Sequence, residues 1–146
     1  MTSAERTVKI GALWKEPVSF KVTVVQEGNC RAGHKEGEVF EFSWRSPEGI
    51  CSESFVGMYP VLHALRLRGD MRELGSPTRN VRVYTCPSRV IRFKIEATYH
   101  CHLCNQPLQI RDGEIIEHRL ENKEQNLHVR VCPECYNKYK DKTLVW

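Results

Sequence analysis

"HCHLCNQ" (residues 100–106) is answered by "VCPECYN" (131–137), so two Cys-x-x-Cys pairs stand 27 residues apart. Each pair fits a tight turn that aims two sulfurs at one point, and four thiolates complete a tetrahedral shell around one divalent ion. The spacing therefore predicts a metal site made of Cys101, Cys104, Cys132 and Cys135. Between the pairs, "LQIRDGEIIEHRL" (108–120) carries two alternating runs about Asp112-Gly113, a turn signal. That predicts a hairpin bringing the pairs together. "YNKYKDK" (136–142) reads as one short helical turn.

This is the layout of a zinc ribbon, with one structural zinc per chain as the expected cofactor. Iron held as in rubredoxin uses the same four sulfurs, and the charge-rich connecting loop favours zinc over it. A catalytic zinc keeps a position open for water, usually with three protein ligands. Four cysteines close the shell, so the reading is structural. His100 and His102 flank the first pair and are expected at the surface or hydrogen-bonded to sulfur. Thioredoxin-like chemistry needs one Cys-x-x-Cys at the start of a helix, and two pairs at ribbon spacing speak against it.

The chain around this module has 146 residues, 40% of them hydrophobic, enough for a core. No apolar run nears the roughly 20 residues that cross a bilayer. The opening "MTSAERTVKIGALWKEP" lacks a basic start followed by an apolar stretch, so no secretory signal and a cytoplasmic location are expected. There the seven cysteines stay reduced, which favours metal over disulfides. The net charge of +4 falls to about +2 once four thiolates bind a divalent ion. Such a mild balance does not by itself argue for nucleic acid.

Upstream, "VSFKVTVV" (18–25) puts Val18, Phe20, Val22 and Val24 on one face of a strand. "VFEF" (39–42) is a second short strand. Ser52 is expected to cap a helix carrying Phe55, Met58, Leu62 and Leu65, with a kink or break at Pro60 and a stop at Gly69. "MRELGSPTRN" (71–80) reads as a loop. "VRVYTC" (81–86) and "VIRFKIEA" (90–97) pair as a hairpin across Cys86–Arg89. The expected fold is α+β: a small antiparallel sheet with one kinked helical segment over 1–97, then a zinc ribbon over 98–146.

Cys30, Cys51 and Cys86 remain, each at a junction between a loop and an element, with His34 four residues after Cys30. A second metal site of Cys30, His34, Cys51 and Cys86 is chemically possible. The alternative, favoured because no Cys-x-x-Cys anchors the set, is that these cysteines are small buried hydrophobes.

"KVTVVQEGNCRAGHKEGEVFEF" (21–42), "SPEGICSESFVGMYPVLHALRLRGD" (46–70) and "VRVYTCPS" (81–88) resemble a family of small, uncharacterised bacterial and archaeal proteins. The shared pattern is Cys-x-Ala-Gly-His-Lys, Pro-Glu-Gly-Ile-Cys, Tyr-Pro and a late Cys-Pro, over residues 20–97. The resemblance implies a shared fold and no function. The C-terminal ribbon departs from it and points to docking. Size and layout are also similar to the small zinc-binding subunits of ATP-dependent ketone carboxylases of the acetophenone carboxylase type.

No Gly-rich phosphate loop and no Gly-x-Ser-x-Gly elbow is present, and no acid–base set converges, so no catalytic or cofactor-binding residues are assigned. The isolated chain is expected to be inactive. Trp14, Phe20 and Trp146 place apolar groups near the chain ends, as anchors on larger protein subunits of a hetero-oligomer or folded back on the chain's own core. The first expectation is thus a non-catalytic subunit of an enzyme complex. The alternatives are a zinc-ribbon nucleic-acid-binding module using Arg89, Arg92 and Lys94, and a rubredoxin-like iron electron carrier. "RGD" (68–70) reads as a helix end.

Overall fold

The structure, a computed structural model, describes residues 6–146. The described residues open with β1 (Thr7–Lys9) and a 3-10 turn (Ile10–Ala12), followed by β2 (Val18–Gln26) and β3 (Val39–Phe42). Helix α1 (Ser52–Arg66) and a second 3-10 turn (Met71–Leu74) precede β4 (Val81–Thr85) and β5 (Arg92–Tyr99). Then come β6 (Ile110–Arg111), β7 (Glu114–Ile115), β8 (His118–Asn122), β9 (Leu127–Val131), α2 (Pro133–Tyr139) and β10 (Thr143–Val145). The fold is α+β, and the described residues form two compact units, one of residues 18–98 and one of residues 6–17 with 99–146.

In the 18–98 unit the sheet order is β3-β2-β5-β4, with β2–β3 and β4–β5 antiparallel. Alternation does the sorting. Val18, Phe20, Val22 and Val24 of β2 are buried, as are Phe93, Ile95 and Ala97 of β5. Helix α1 buries Ser54, Met58, Leu62 and Leu65, one stripe at helical spacing. Phe20 is therefore core and no anchor.

Helix α1 departs from expectation at both ends. Its N-cap is Cys51, one residue before the expected Ser52, and no side chain caps it. Pro60 lies inside the helix without breaking it. Val56 and Pro60 are both exposed, so water can replace the amide donor that proline lacks. At the C-terminus, Arg68 takes the left-handed conformation (φ 65°) in place of a glycine. Its amide reaches Leu65 O, and the Gly69 amide reaches Ala64 O at 2.8 Å, closing a Schellman motif. Gly69 is required for room: a Cβ there would stand 2.8 Å from that same carbonyl. "MREL" is a 3-10 turn and no plain loop, because Asp70 caps the Arg72 amide and Gly75 ends the turn at φ 93°.

The other unit joins the described N-terminal residues to the cysteine module. β1 pairs in parallel with β10, register Thr7↔Thr143 to Lys9↔Val145. The sequence reading grouped residues 1–97 together; here the segment up to Pro17 belongs with the cysteines. Leu144 is 2% exposed, so β10 puts this one side chain in the core, with Val145 half-buried and Thr143 exposed. Trp146 projects, 68% exposed, with its ring 6.2 Å from that of Trp14.

Candidate metal centre

Four short pieces of local structure carry the cysteines. Cys101 and Cys104 sit in a turn closed by the Asn105 amide on Cys101 O (3.0 Å) and the Cys101 amide on Gln106 O (2.9 Å). Asp112 (φ 51°) and Gly113 (φ 80°) form the two-residue turn between β6 and β7, the left-handed pair the sequence signalled. A second hairpin, β8–β9, went unread in the sequence, and β9 delivers Cys132. Cys132 is the N-cap of α2, with Pro133 in the first turn, so the helix begins inside the second Cys-x-x-Cys. The Cys135 amide donates to Cys132 Sγ at 3.5 Å.

The four ligand sulfurs of Cys101, Cys104, Cys132 and Cys135 lie within 4.8 Å of one another. Tetrahedral zinc with Zn–S bonds of about 2.3 Å requires sulfurs about 3.8 Å apart; Cys104 Sγ and Cys132 Sγ are 3.7 Å apart. Cys101, Cys132 and Cys135 are buried and Cys104 is exposed, so the shell has one edge toward solvent. The residues fit a tetrahedral thiophilic ion.

Electrostatics agree with a cation site. Burial raises the Cys101 thiol, but amides of Cys104, Cys132 and Leu103 aimed at its sulfur more than reverse this and leave it below the ordinary thiol value. Burial pushes Cys135 far up, and the Cys101 sulfur beside it adds to the effect. Cys104 is raised as well, chiefly by burial. A divalent ion bound by these sulfurs displaces their protons.

The flanking histidines do different work from that expected. His102 is buried, and its ring meets Trp14 edge-on at 4.7 Å. Its Nδ1 accepts the Arg130 amide at 3.3 Å, its own amide donates to Arg130 O at 3.1 Å, and its carbonyl accepts from the Lys15 amide at 2.8 Å. His102 thus ties the first cysteine turn both to β9 and to the N-terminal segment. His100 Nδ1 lies 3.3 Å from Asn105 O, bracing the same turn.

The remaining candidates come together in the 18–98 unit without forming a metal cluster. Among the described residues, the group of three or more His, Cys, Asp or Glu with ligand atoms inside 4.8 Å is the four-cysteine set. His34 is committed elsewhere: Nδ1 pairs with Glu38 Oε1 at 3.0 Å, and Nε2 accepts the Cys51 amide at 3.0 Å. Its buried ring packs edge-on to Phe40 and Phe93. With both nitrogens engaged, His34 is a latch and no free ligand. Cys30, Cys51 and Cys86 all line one cleft of about 520 Å³. Cys30 and Cys51 are half-buried, so of the three only Cys86 is buried.

Comparison with known protein families, with curated proteins and with solved structures finds no match. Among the described residues, no helix is long and apolar enough to cross a membrane.

Proposed function

We propose that the chain is a non-catalytic, zinc-binding small subunit of a multisubunit enzyme, with the ion holding its cysteine unit in a shape for docking. The observation that carries this reading is the closed set of four sulfurs, which leaves an ion no position for substrate. Exposed apolar groups support the docking role. Trp146 is 68% exposed, and the outer face of α1 presents Val56 at 71% and Tyr59 at 49%, with Leu67 at 70% just beyond its end. An ATP-dependent ketone carboxylase of the acetophenone type is the assembly whose layout the chain resembles.

The basic residues give less support to a nucleic-acid module. Lys94 pairs with Glu96 at 2.7 Å, Arg119 with Glu121 at 3.5 Å and Arg130 with Glu117 at 2.8 Å, so strand cations face acids. The test is affinity capture from the native host after nuclease treatment, weighed by native mass spectrometry. Large chains at a fixed ratio, released by Trp146→Ala, are expected. A bare monomer that recovers nucleic acid only without nuclease, with steep salt dependence, would overturn the reading. A red or brown colour would identify iron in place of zinc.

A further inference from the structure

The cleft lined by Cys30, Cys51 and Cys86 lies wholly in the 18–98 unit, apart from the four-cysteine set. Three thiols, with Ser52, Ser54 and Ser88, open on one cavity whose volume admits a small molecule. Local structure singles out Cys86. The turn Cys86–Arg89 is closed by the Arg89 amide on Cys86 O (2.8 Å) and held left-handed at Arg89, φ 61°. It wraps the sulfur in backbone donors, and Ile91 N–H donates to Cys86 Sγ at 3.3 Å. Burial raises this thiol, but amides of Ile91, Val90, Ser88 and Arg89 prevail and leave it below the ordinary value.

Cys51 is the second group fixed in place. His34 holds its amide, and its sulfur makes no capping bond, so Sγ is not spent on the helix it opens. Tyr84 lies within electrostatic reach of both thiols. A Cβ on Gly57 would collide with Tyr84 Oη, so the hydroxyl packs on the second turn of α1, just past Cys51. That hydroxyl is raised by burial first, then by the negative charge of Cys86 and of Cys51.

We propose that this cleft is a thiol redox centre in which Cys86 reduces a hydroperoxide and Cys51 closes the product into a disulfide. The Cys86 thiolate attacks the outer peroxide oxygen. An S–O bond forms, the O–O bond breaks, and the departing alkoxide takes a proton from solvent to leave as the alcohol. The Cys51 thiolate then attacks the Cys86 sulfur, forming S–S and breaking S–O, and hydroxide leaves as water after protonation. Two thiols are oxidised by two electrons and one hydroperoxide is reduced. A dithiol restores both by exchange.

The test uses the full zinc-loaded chain, one equivalent of hydrogen peroxide, differential alkylation and peptide mass spectrometry. The expected product is a Cys51–Cys86 disulfide formed before the four clustered cysteines react, and unchanged in Cys30→Ser. Cys86→Ser should slow peroxide consumption at least about 10-fold. Cys51→Ser, which leaves the turn around Cys86 intact, should trap Cys86 as a sulfenic acid captured by dimedone. Cys86 still alkylatable after treatment, a Cys86 disulfide to another cysteine, or a second zinc equivalent held by these three thiols would overturn the proposal.

Discussion

His102 Nδ1 accepts the Arg130 amide at 3.3 Å, so the first cysteine turn is fastened to the strand that delivers the second. The two pairs are therefore aligned by a contact 28 residues apart in sequence, in addition to any ion between them. Replacing His102 by Ala leaves the half-buried Arg130 amide without this acceptor and removes the ring from beside Trp14. The expected loss is about 1–3 kcal/mol of unfolding free energy, read by urea titration, together with weaker zinc retention against a chelator. Unchanged retention would show that the ion alone aligns the turns.

His34 plays the corresponding part in the other unit. His34→Ala should cost about 2–4 kcal/mol, since it opens a cavity between Phe40 and Phe93 and strands the Cys51 amide. Hydrogen exchange should rise first at Cys51 and the opening turn of α1. Zinc content should stay at wild type, and a fall in zinc would contradict this assignment.

The C-terminal strand separates packing from docking. Leu144 is buried, and its carbonyl accepts from Asn122 Nδ2 at 2.7 Å. Leu144→Ala should cost about 2–4 kcal/mol in thermal or chemical unfolding. Trp146→Ala should change stability by under about 0.5–1 kcal/mol, while weakening capture of partner chains. Deleting 143–146 removes β10 and with it the pairing to β1, so it should unfold the cysteine unit rather than merely uncouple it from a partner.

Acid weakens the 18–98 unit in a stated window. The Arg72 side chain beside Asp70 holds its carboxyl at about 2, against an ordinary 3.8. The folded value is depressed, so the charged form favours folding. That contribution is complete above pH 3.8 and is lost as pH falls toward about 2. Glu38 acts in the same direction, lowered by the Lys35 amide more than burial raises it. Asp70→Asn keeps a capping side chain and should flatten the acid limb of a stability–pH profile; an unchanged limb would remove Asp70 from this account.

What the sequence made legible was local. Alternation in 18–25 and 90–97 set the core strands, and Asp112-Gly113 set its turn, because each is decided by neighbours. The two-by-two cysteine spacing likewise led to a set of sulfurs that meets in space. What stayed hidden depends on distant backbone. Nothing in Thr7–Lys9 announces a partner at Thr143–Val145, so the N-terminal segment was grouped with the wrong unit. His34 and His102 are each fixed by a backbone amide far along the chain, so residue type alone left His34 a possible ligand and His102 a surface or sulfur-bonded group. At Pro60 a kink or a break both stayed open, because the sequence could not show that its missing donor would fall on the exposed face.

We propose that Cys101, Cys104, Cys132 and Cys135 hold one zinc in a closed shell. X-ray absorption at the zinc edge of the full chain, with metal content measured on the same sample, reads that shell. One zinc per chain with four sulfurs at about 2.3 Å, lost in Cys101→Ser, is the expected result. Nitrogen or oxygen in the shell, fewer than four sulfurs, or a full equivalent of zinc retained by Cys101→Ser would contradict it.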